Sequence, residues 1–385
     1  MEQELKRQEL KMKVAVVGVG RMGTAISWGL DKLSTLAQYA DIDELTLADV
    51  DADNVKRCSQ NISCPTLEVE VQFETRRWDH CGAFLKNNDI VISALPYHQN
   101  EIVARYCIDN HIPYCDLGGH VETSSNINKY ASQKGSVVMT DLGLAPGWVN
   151  ILAEHGYQSY CGGELHGARP VPDTIEMMVG GLPVKPNNYL KYSCTWSGDG
   201  LVNEYKDQCE VLINGRSTLV DGMSGLTEIE TRLGPVEAFY TSGGASHTIK
   251  TMLDRGVQNC GYKTIRYLGH CSALQFLIND CGLTNDALAS ILQHSCPPAD
   301  DLVIIKARAG GHEGIADWST EKVIHCNDKF SAMQMATAFP VATVATMMTN
   351  KDRDELGTEP LSYRDIARSY EEFEDSLDFL FRAIK

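Results

Sequence analysis

From Lys13 to Asp141 the chain alternates short apolar runs with stretches whose apolar residues recur at helical spacing. The runs are KVAVVGV, ELTLAD, LEVEVQFE, DIVISAL, PYCDL and SVVMTD; between them lie RMGTAISWGLDKLSTL, WDHCGAFLKN, NEIVARYCIDN and NINKYASQKG. Short apolar runs joined by amphipathic helices pack as a parallel sheet with crossovers on both faces. The pattern therefore predicts an α/β domain of six strands. Two of its helices should end near Asn110 and Gly135, residue types that suit a helix C-terminus.

After APGWVNILAEHGYQSY, read as a helix with Pro146 in its first turn, the pattern changes. TIEMMVGGLP, LKYSCTW, CEVLING, VEAFYTSGG, YKTIRYLGH, LVIIKARAGG and EKVIHCN read as strands with fewer helices between them, which predicts an α+β domain on one mainly antiparallel sheet. SAMQMATAFPVATVATMMTN is small and apolar on most faces and reads as a buried helix interrupted at Pro340; YRDIARSYEEFEDSLDFLFRAIK reads as one amphipathic terminal helix. The expected division is residues 1–150, completed by 331–385, and residues 151–330.

Of the 385 residues, 43% are hydrophobic and 22% charged, enough apolar material for two cores. A net charge of −17 disfavours nucleic acid and anionic membrane as partners, since both need a basic surface. No stretch approaches the ~20 apolar residues of a membrane span. The 13 cysteines form no CxxC pair and the charged MEQELKRQELKMK start does not read as a secretory signal, so reduced thiols in the cytoplasm are expected.

VAVVGVGRMG places Gly18, Gly20 and Gly23 directly after a strand and at the opening of a helix, the context of a dinucleotide-binding fingerprint and of a Rossmann doubly wound sheet. Gly18 allows the tight turn, Gly20 lets the backbone approach a pyrophosphate, and Gly23 lets helix and strand pack closely. Arg21 and Met22 supply amides at the helix N-terminus, where phosphates are held. The second strand ends at Asp49, which either accepts hydrogen bonds from ribose hydroxyls or caps the helix DADNVKRC. The first reading implies NAD. A 2′-phosphate would meet Asp49, with Asp51 and Asp53 behind it and no arginine before Arg57.

In an open parallel sheet, the loops leaving the carboxyl ends of the strands border one crevice. Strand four delivers Ala94, Leu95, Pro96, Tyr97 and His98; strand five Asp116, Leu117, Gly118 and His120; strand six Asp141 and Leu142. Ala94, Leu95, Pro96, Leu117, Gly118, Asp141 and Leu142 are the expected cofactor wall. Tyr97, Asp116 and His120 are the expected catalytic group. Each also has a plain alternative: a packed aromatic for Tyr97, a solvent-facing helix start for His98, Asx turns for the aspartates, and a cap for His120. No metal site is expected.

With these residues in place, the chain resembles the saccharopine dehydrogenase superfamily, and within it the lysine 6-dehydrogenases. GVGRMG, TLADVD, DLGGH, DLGLAPGWVNIL, VGGLPV, GPVEAFYTSGG and YKTIRYLGH stand in matching order through about residue 350. The resemblance implies NAD-dependent oxidation at the ε-carbon of L-lysine, giving 2-aminoadipate 6-semialdehyde, which cyclises onto its own amine, and ammonia. It places Tyr97 and Asp116 beside the substrate, with Trp196, Thr241 and Arg266 as further contacts. The family's saccharopine reductases carry an arginine shortly after their Trp-Ser pair and a second one later. Here CTWSGDG puts Asp199 near the first position and YTSGG lacks the second, which points to a less anionic substrate. Arg266, or Lys185, remains to meet a carboxylate, although Arg266 could equally join a structural ion pair.

Hydride can leave the ε-carbon only after the bound ammonium has lost a proton, so a base is required. Histidine titrates near neutrality and suits that task, which assigns His120 as base and Asp116 as the group that holds the amine. A saccharopine or carboxyspermidine type dehydrogenase, acting on a secondary amine, is the alternative enzyme. A catalytically silent NAD-binding homologue is the alternative without chemistry. A dimer through the second domain's sheet is expected.

Overall fold

The computed structural model describes residues 11–71, 82–162, 170–195, 198–351 and 353–384. The chain divides into two compact units, Met1–Trp148 with Gln334–Lys385, and Val149–Met333.

The first unit is built on six parallel strands: β1 (Lys11–Val17), β2 (Asp41–Asp49), β3 (Thr66–Glu70), β4 (Ile90–Ser93), β5 (Tyr114–Asp116) and β6 (Val138–Met139). Their order is β3-β2-β1-β4-β5-β6, so the chain reverses direction across the sheet between β1 and β4. Ala15 and Val17 point to one face, where Val91, Val103, Tyr114, Ile127 and Ala131 complete a dry core under the helices Tyr97–Asp109 and Val121–Lys134. The helices end at Asn110 and at Gly135, which takes the left-handed conformation. Elsewhere in this unit Trp28, in the helix Arg21–Leu33, stacks on Phe339 at 5.6 Å. Asp31, buried in the same helix, accepts from the amides of Ser63 and Cys64 at 2.8 Å and ties the helix to the approach to β3.

Pro340 does not interrupt its helix, which runs unbroken over Ala332–Thr349. A helix-interior proline costs about 3 kcal/mol, but nearly every neighbour here is buried, and that packing holds the helix together. Pro146 does not open a helix either. It follows a cis peptide bond, and the helix starts two residues later, over Trp148–Tyr160. The terminal segment is two helices, Tyr363–Ala367 and Tyr370–Ala383. The expected WDHCGAFLKN helix lies partly outside the described residues; what is described of it is a single turn, Gly82–Leu85.

The second unit carries an eight-stranded sheet of β7 (Thr174–Pro183), β8 (Cys209–Ile213), β9 (Arg216–Val220), β10 (Thr227–Thr231), β11 (Gly234–Tyr240), β12 (Asn259–Arg266), β13 (Asp301–Gly310) and β14 (Trp318–His325). Its main path is β10-β11-β12-β7-β13-β14, and only the β12–β7 pair is parallel. Two of these strands were not legible as apolar runs. RSTLV and TEIET are largely exposed, and the hairpin ladder rather than apolar burial holds them. Conversely, LKYSCTW forms no strand over its described residues. Leu190, Tyr192 and Cys194 are buried there as a loop packed on Leu201, Tyr205 and Phe239. No described helix is long and apolar enough to cross a membrane.

Candidate functional site

In the first unit the glycine loop has the geometry that its spacing implies. Gly18 takes φ 89° and its amide donates to Ala48 O at 2.7 Å, turning the chain over the end of β2. A Cβ at Gly23 would collide with the Gly18 carbonyl oxygen, so no larger residue lets the helix approach the loop this closely. Gly20 is different: a Cβ there would meet nothing within 4 Å. It is the N-cap of the helix Arg21–Leu33 and provides no side-chain cap, which leaves the Cβ position at the head of the helix open. Beside the loop, Ala94 donates its amide to Val17 O at 2.8 Å, and Leu95 and Ala94 close around Gly18. A pyrophosphate fits this cradle, with Arg21 exposed and Met22 half-buried at its edge.

Asp49 ends β2 and is buried. Its Oδ1 accepts from the Asp51 amide at 3.0 Å and from Asn54 Nδ2 at 3.3 Å. The helix cap is made by Asp51, which accepts from the Asp53 amide. Asp49 is thus held in place by the turn at the strand end without capping the helix.

The two Asp-Leu-Gly copies hold each other. Asp116 is 1% exposed, and its Oδ1 accepts from the amides of Gly118 (2.9 Å) and Asp141 (3.1 Å), while Tyr114 donates its hydroxyl to Oδ2 at 3.0 Å. Leu142 in turn donates its amide to Asp116 O at 2.9 Å. Asp141, at φ 62°, accepts from Ser124 Oγ at 2.7 Å and lies so close to Gly118 that a Cβ there would strike its Oδ1. Burial, reinforced by the charge of Asp141, pushes the Asp116 carboxyl up to about 7. Buried and bonded through both oxygens, Asp116 is a clasp between two loops.

Tyr97 and His120 do come together. Tyr97 is 43% exposed at the start of its helix and stacks on His120, with ring centroids 5.2 Å apart and 20° between planes. His98 meets Tyr97 edge-on at 5.8 Å. Gly118 and Gly119 both take positive φ, which brings the chain against Tyr97. His120 is the N-cap of Val121–Lys134, and its Nδ1 accepts from the Thr123 amide at 3.4 Å and lies 3.2 Å from Thr123 Oγ1. That bond is longer than an ordinary hydrogen bond, so the cap only loosely engages the lone pair. Pro96, Leu117 and Leu142 flank these groups in sequence; Pro96 is exposed and Leu142 buried.

In the second unit Arg266 ends β12 and is 4% exposed. Its Nε donates to the Tyr205 hydroxyl at 2.9 Å and its Nη1 to Ile265 O at 2.9 Å. Tyr205 donates onward to His270 Nε2 at 2.9 Å, because His270 Nδ1 must carry the proton that it gives to Leu190 O at 2.7 Å. Burial and the Arg266 charge lower His270 to about 3, which keeps it neutral and fixes the direction of the chain. The structural ion pair considered for Arg266 is absent among the described residues. Thr241 is buried with no hydrogen-bond partner for its hydroxyl among the described residues. Lys185 is exposed. Trp196 and the Asp199 side chain lie outside what the structure describes. Glu204, missed in the sequence, stands next to Tyr205; nothing in VNEYKD separates it from a solvent-facing helix residue. Among the described residues no group of three or more His, Cys, Asp and Glu is arranged to hold a metal ion.

The comparisons agree with this architecture. The solved structure of saccharopine dehydrogenase (L-Glu forming) from Saccharomyces cerevisiae superposes with a TM-score of 0.73 at 15% identity, covering 95% of this chain and 96% of that one. A homospermidine synthase from Legionella pneumophila, solved with NAD, gives 0.63 at 11% identity over 97% and 90%. Both likenesses are of fold. Alpha-aminoadipic semialdehyde synthase of Rattus norvegicus is 27% identical over 217 residues, 55% of this chain and 22% of its own length. Saccharopine dehydrogenase [NADP(+), L-glutamate-forming] of Schizosaccharomyces pombe is 27% identical over 147 residues, 36% of this chain and 30% of its own. The chain thus matches under a third of the length of these curated relatives. Residues 14–139 match the Saccharopine dehydrogenase NADP binding domain, and residues 143–370, more than half of the chain, match the Saccharopine dehydrogenase C-terminal domain. The chain belongs to the saccharopine dehydrogenase family.

Proposed function

We propose that the protein is an NAD-dependent amino-acid dehydrogenase that oxidises the ε-carbon of L-lysine. Lysine, NAD⁺ and water give 2-aminoadipate 6-semialdehyde, NADH, ammonium and a proton. The observation that carries the nucleotide part is Gly20, whose Cβ position is open, between the Gly18 turn and the close Gly23 contact. The choice of NAD rests on Asp49, an anchored carboxylate at the end of β2 that a ribose diol suits and a 2′-phosphate does not. The matched domain's description names NADP, so cofactor preference is a direct test.

The nicotinamide, when bound, accepts the hydride. This chain's task is to deprotonate the ammonium and admit water to the resulting iminium. Tyr97 and His120 are exposed at the strand ends and stack on each other. His120 can take a proton on Nδ1, giving up its long cap bond and donating instead to Thr123 Oγ1. Asp116 positions the loop that carries His120 through Gly118 and does not hold the amine. The lack of the two reductase arginines in the sequence favours lysine; the saccharopine dehydrogenases among the relatives favour a secondary amine. NADH formation with lysine, saccharopine, ornithine and diamines separates these readings. The proposal expects lysine alone to give substantial turnover, and preference for saccharopine would replace it.

A further inference from the structure

The second unit holds two groups of opposite charge, Arg266 and Glu204, that form no ion pair among the described residues. Arg266 lies across the rings of Tyr192 (5.0 Å) and Tyr205 (5.8 Å), with Nε and Nη1 committed as described. Its Nη2 makes no hydrogen bond among the described residues. Directly across the ladder stands Glu237, but its carboxylate accepts from the amides of Gly269 (2.8 Å) and Cys271 (2.5 Å) at the head of the helix His270–Gln275. The carboxylate that register would pair with Arg266 is therefore spent on a helix cap.

Glu204 lies in the helix Gly198–Lys206, one residue before the tyrosine that holds Arg266. Its carbonyl accepts from the Ser242 amide at 3.0 Å, which brings the end of β11 alongside. Its carboxylate makes no hydrogen bond or ion pair among the described residues. It keeps some solvent contact yet is walled in by protein, within electrostatic reach of Arg266, Tyr192, Tyr205 and Tyr262. That burial raises its carboxyl to about 7 although Arg266 opposes the shift. Beside Ser242 is Thr241, whose buried hydroxyl has no hydrogen-bond partner among the described residues. Two residues before it, Phe239 packs on Tyr205 at 5.9 Å.

A buried guanidinium, a walled carboxylate and a buried hydroxyl each pay a desolvation cost that partners normally offset. The two charges stand too far apart to form an ion pair with each other. One ligand that satisfies both is a zwitterion. We propose that Arg266 and Glu204 form a bipolar seat for the head group of a free α-amino acid, Arg266 taking the carboxylate and Glu204 the α-ammonium, with the Thr241 hydroxyl bonding to the same head. The seat selects α-amino acids over diamines and over ω-amino acids that lack an α-amine. This rests on the amino-acid part of the reading above, not on which bond is oxidised.

The test is calorimetric titration of the full chain, saturated with NAD⁺, using L-norleucine, 6-aminohexanoate and 1,5-diaminopentane. Norleucine keeps the zwitterionic head but has no amine to oxidise. It should bind at least about tenfold more tightly than the other two, the strength of one charge-assisted hydrogen bond. Glu204→Gln should weaken norleucine by a similar factor and leave 6-aminohexanoate unchanged, with thermal unfolding confirming the folded variant. Norleucine binding no better than 6-aminohexanoate in the unaltered protein would overturn the seat without reference to any variant. If norleucine binds through Glu204 while lysine yields no NADH, the seat stands and the oxidation reading falls. If lysine is oxidised while Glu204→Gln leaves norleucine affinity unchanged, the reverse holds.

Discussion

Asp116 offers the sharpest energetic test, because its burial and its hydrogen bonds pull in opposite directions. Its carboxyl titrates at about 7 in the fold against an ordinary 3.8. At about 1.4 kcal/mol per unit, ionised Asp116 costs the folded state about 4 kcal/mol at pH 8. The sign follows from proton binding. Between pH 4 and 7 the folded state holds a proton that the unfolded state has lost, so this group's contribution to stability falls as pH rises through that window. Asp116→Asn keeps an oxygen for the amides of Gly118 and Asp141 and removes the titration. Asp116→Ala instead leaves those two amides without their acceptor, at about 1–3 kcal/mol each, and leaves the Tyr114 hydroxyl only its 3.4 Å bond to Asn100 O. Thermal unfolding of the three proteins at pH 5 and pH 8 reads the difference. The asparagine variant should gain on the parent at pH 8 relative to pH 5, and the alanine variant should be the least stable at pH 5. An asparagine variant whose offset from the parent is the same at both pH values would refute the buried, titrating clasp.

Three further outcomes follow from the first unit. Gly23→Ala puts a methyl group into the Gly18 carbonyl and should cost about 1–3 kcal/mol of stability along with NAD affinity; parent-like unfolding and binding would contradict the close helix approach. Asp49→Asn keeps the acceptor for Asp51 and Asn54 but removes the charge, and should shift kcat/KM preference from NAD toward NADP by about tenfold or more. An unchanged preference ratio would remove Asp49 from cofactor choice. His120→Asn retains a side-chain cap and should lower kcat by about a hundredfold or more with little change in NAD affinity; unaltered turnover would end its assignment as base.

What the sequence made legible, and what it hid, has a physical pattern. Strands buried on both faces must be apolar throughout, so KVAVVGV and DIVISAL were readable; RSTLV and TEIET, exposed and held by a ladder, carry no such mark. The glycines were legible because their positions answer to backbone geometry. Strand-end placement brought Asp116 and His120 to one edge but could not show which way each side chain turns. Asp116 turns inward to the Asp141 amide, a contact across 25 residues, whereas His120 turns outward against Tyr97. The repeated Asp-Leu-Gly thus marks two loops clasped to each other. Arg266 stood out as a cation in an apolar strand, but its holder Tyr205 and its neighbour Glu204 come from a helix some sixty residues earlier, and only the fold brings them together. Pro340 misled because burial outweighed a local rule.

The central claim is that the hydride leaves the ε-carbon of lysine. Turnover of NAD⁺ with L-lysine deuterated at the ε-carbon, followed by mass analysis of the reduced cofactor, tests it most directly. The account predicts NADH carrying one deuterium for each ammonia released. Deuterium absent from NADH, or present only when the α-carbon is labelled, would contradict it.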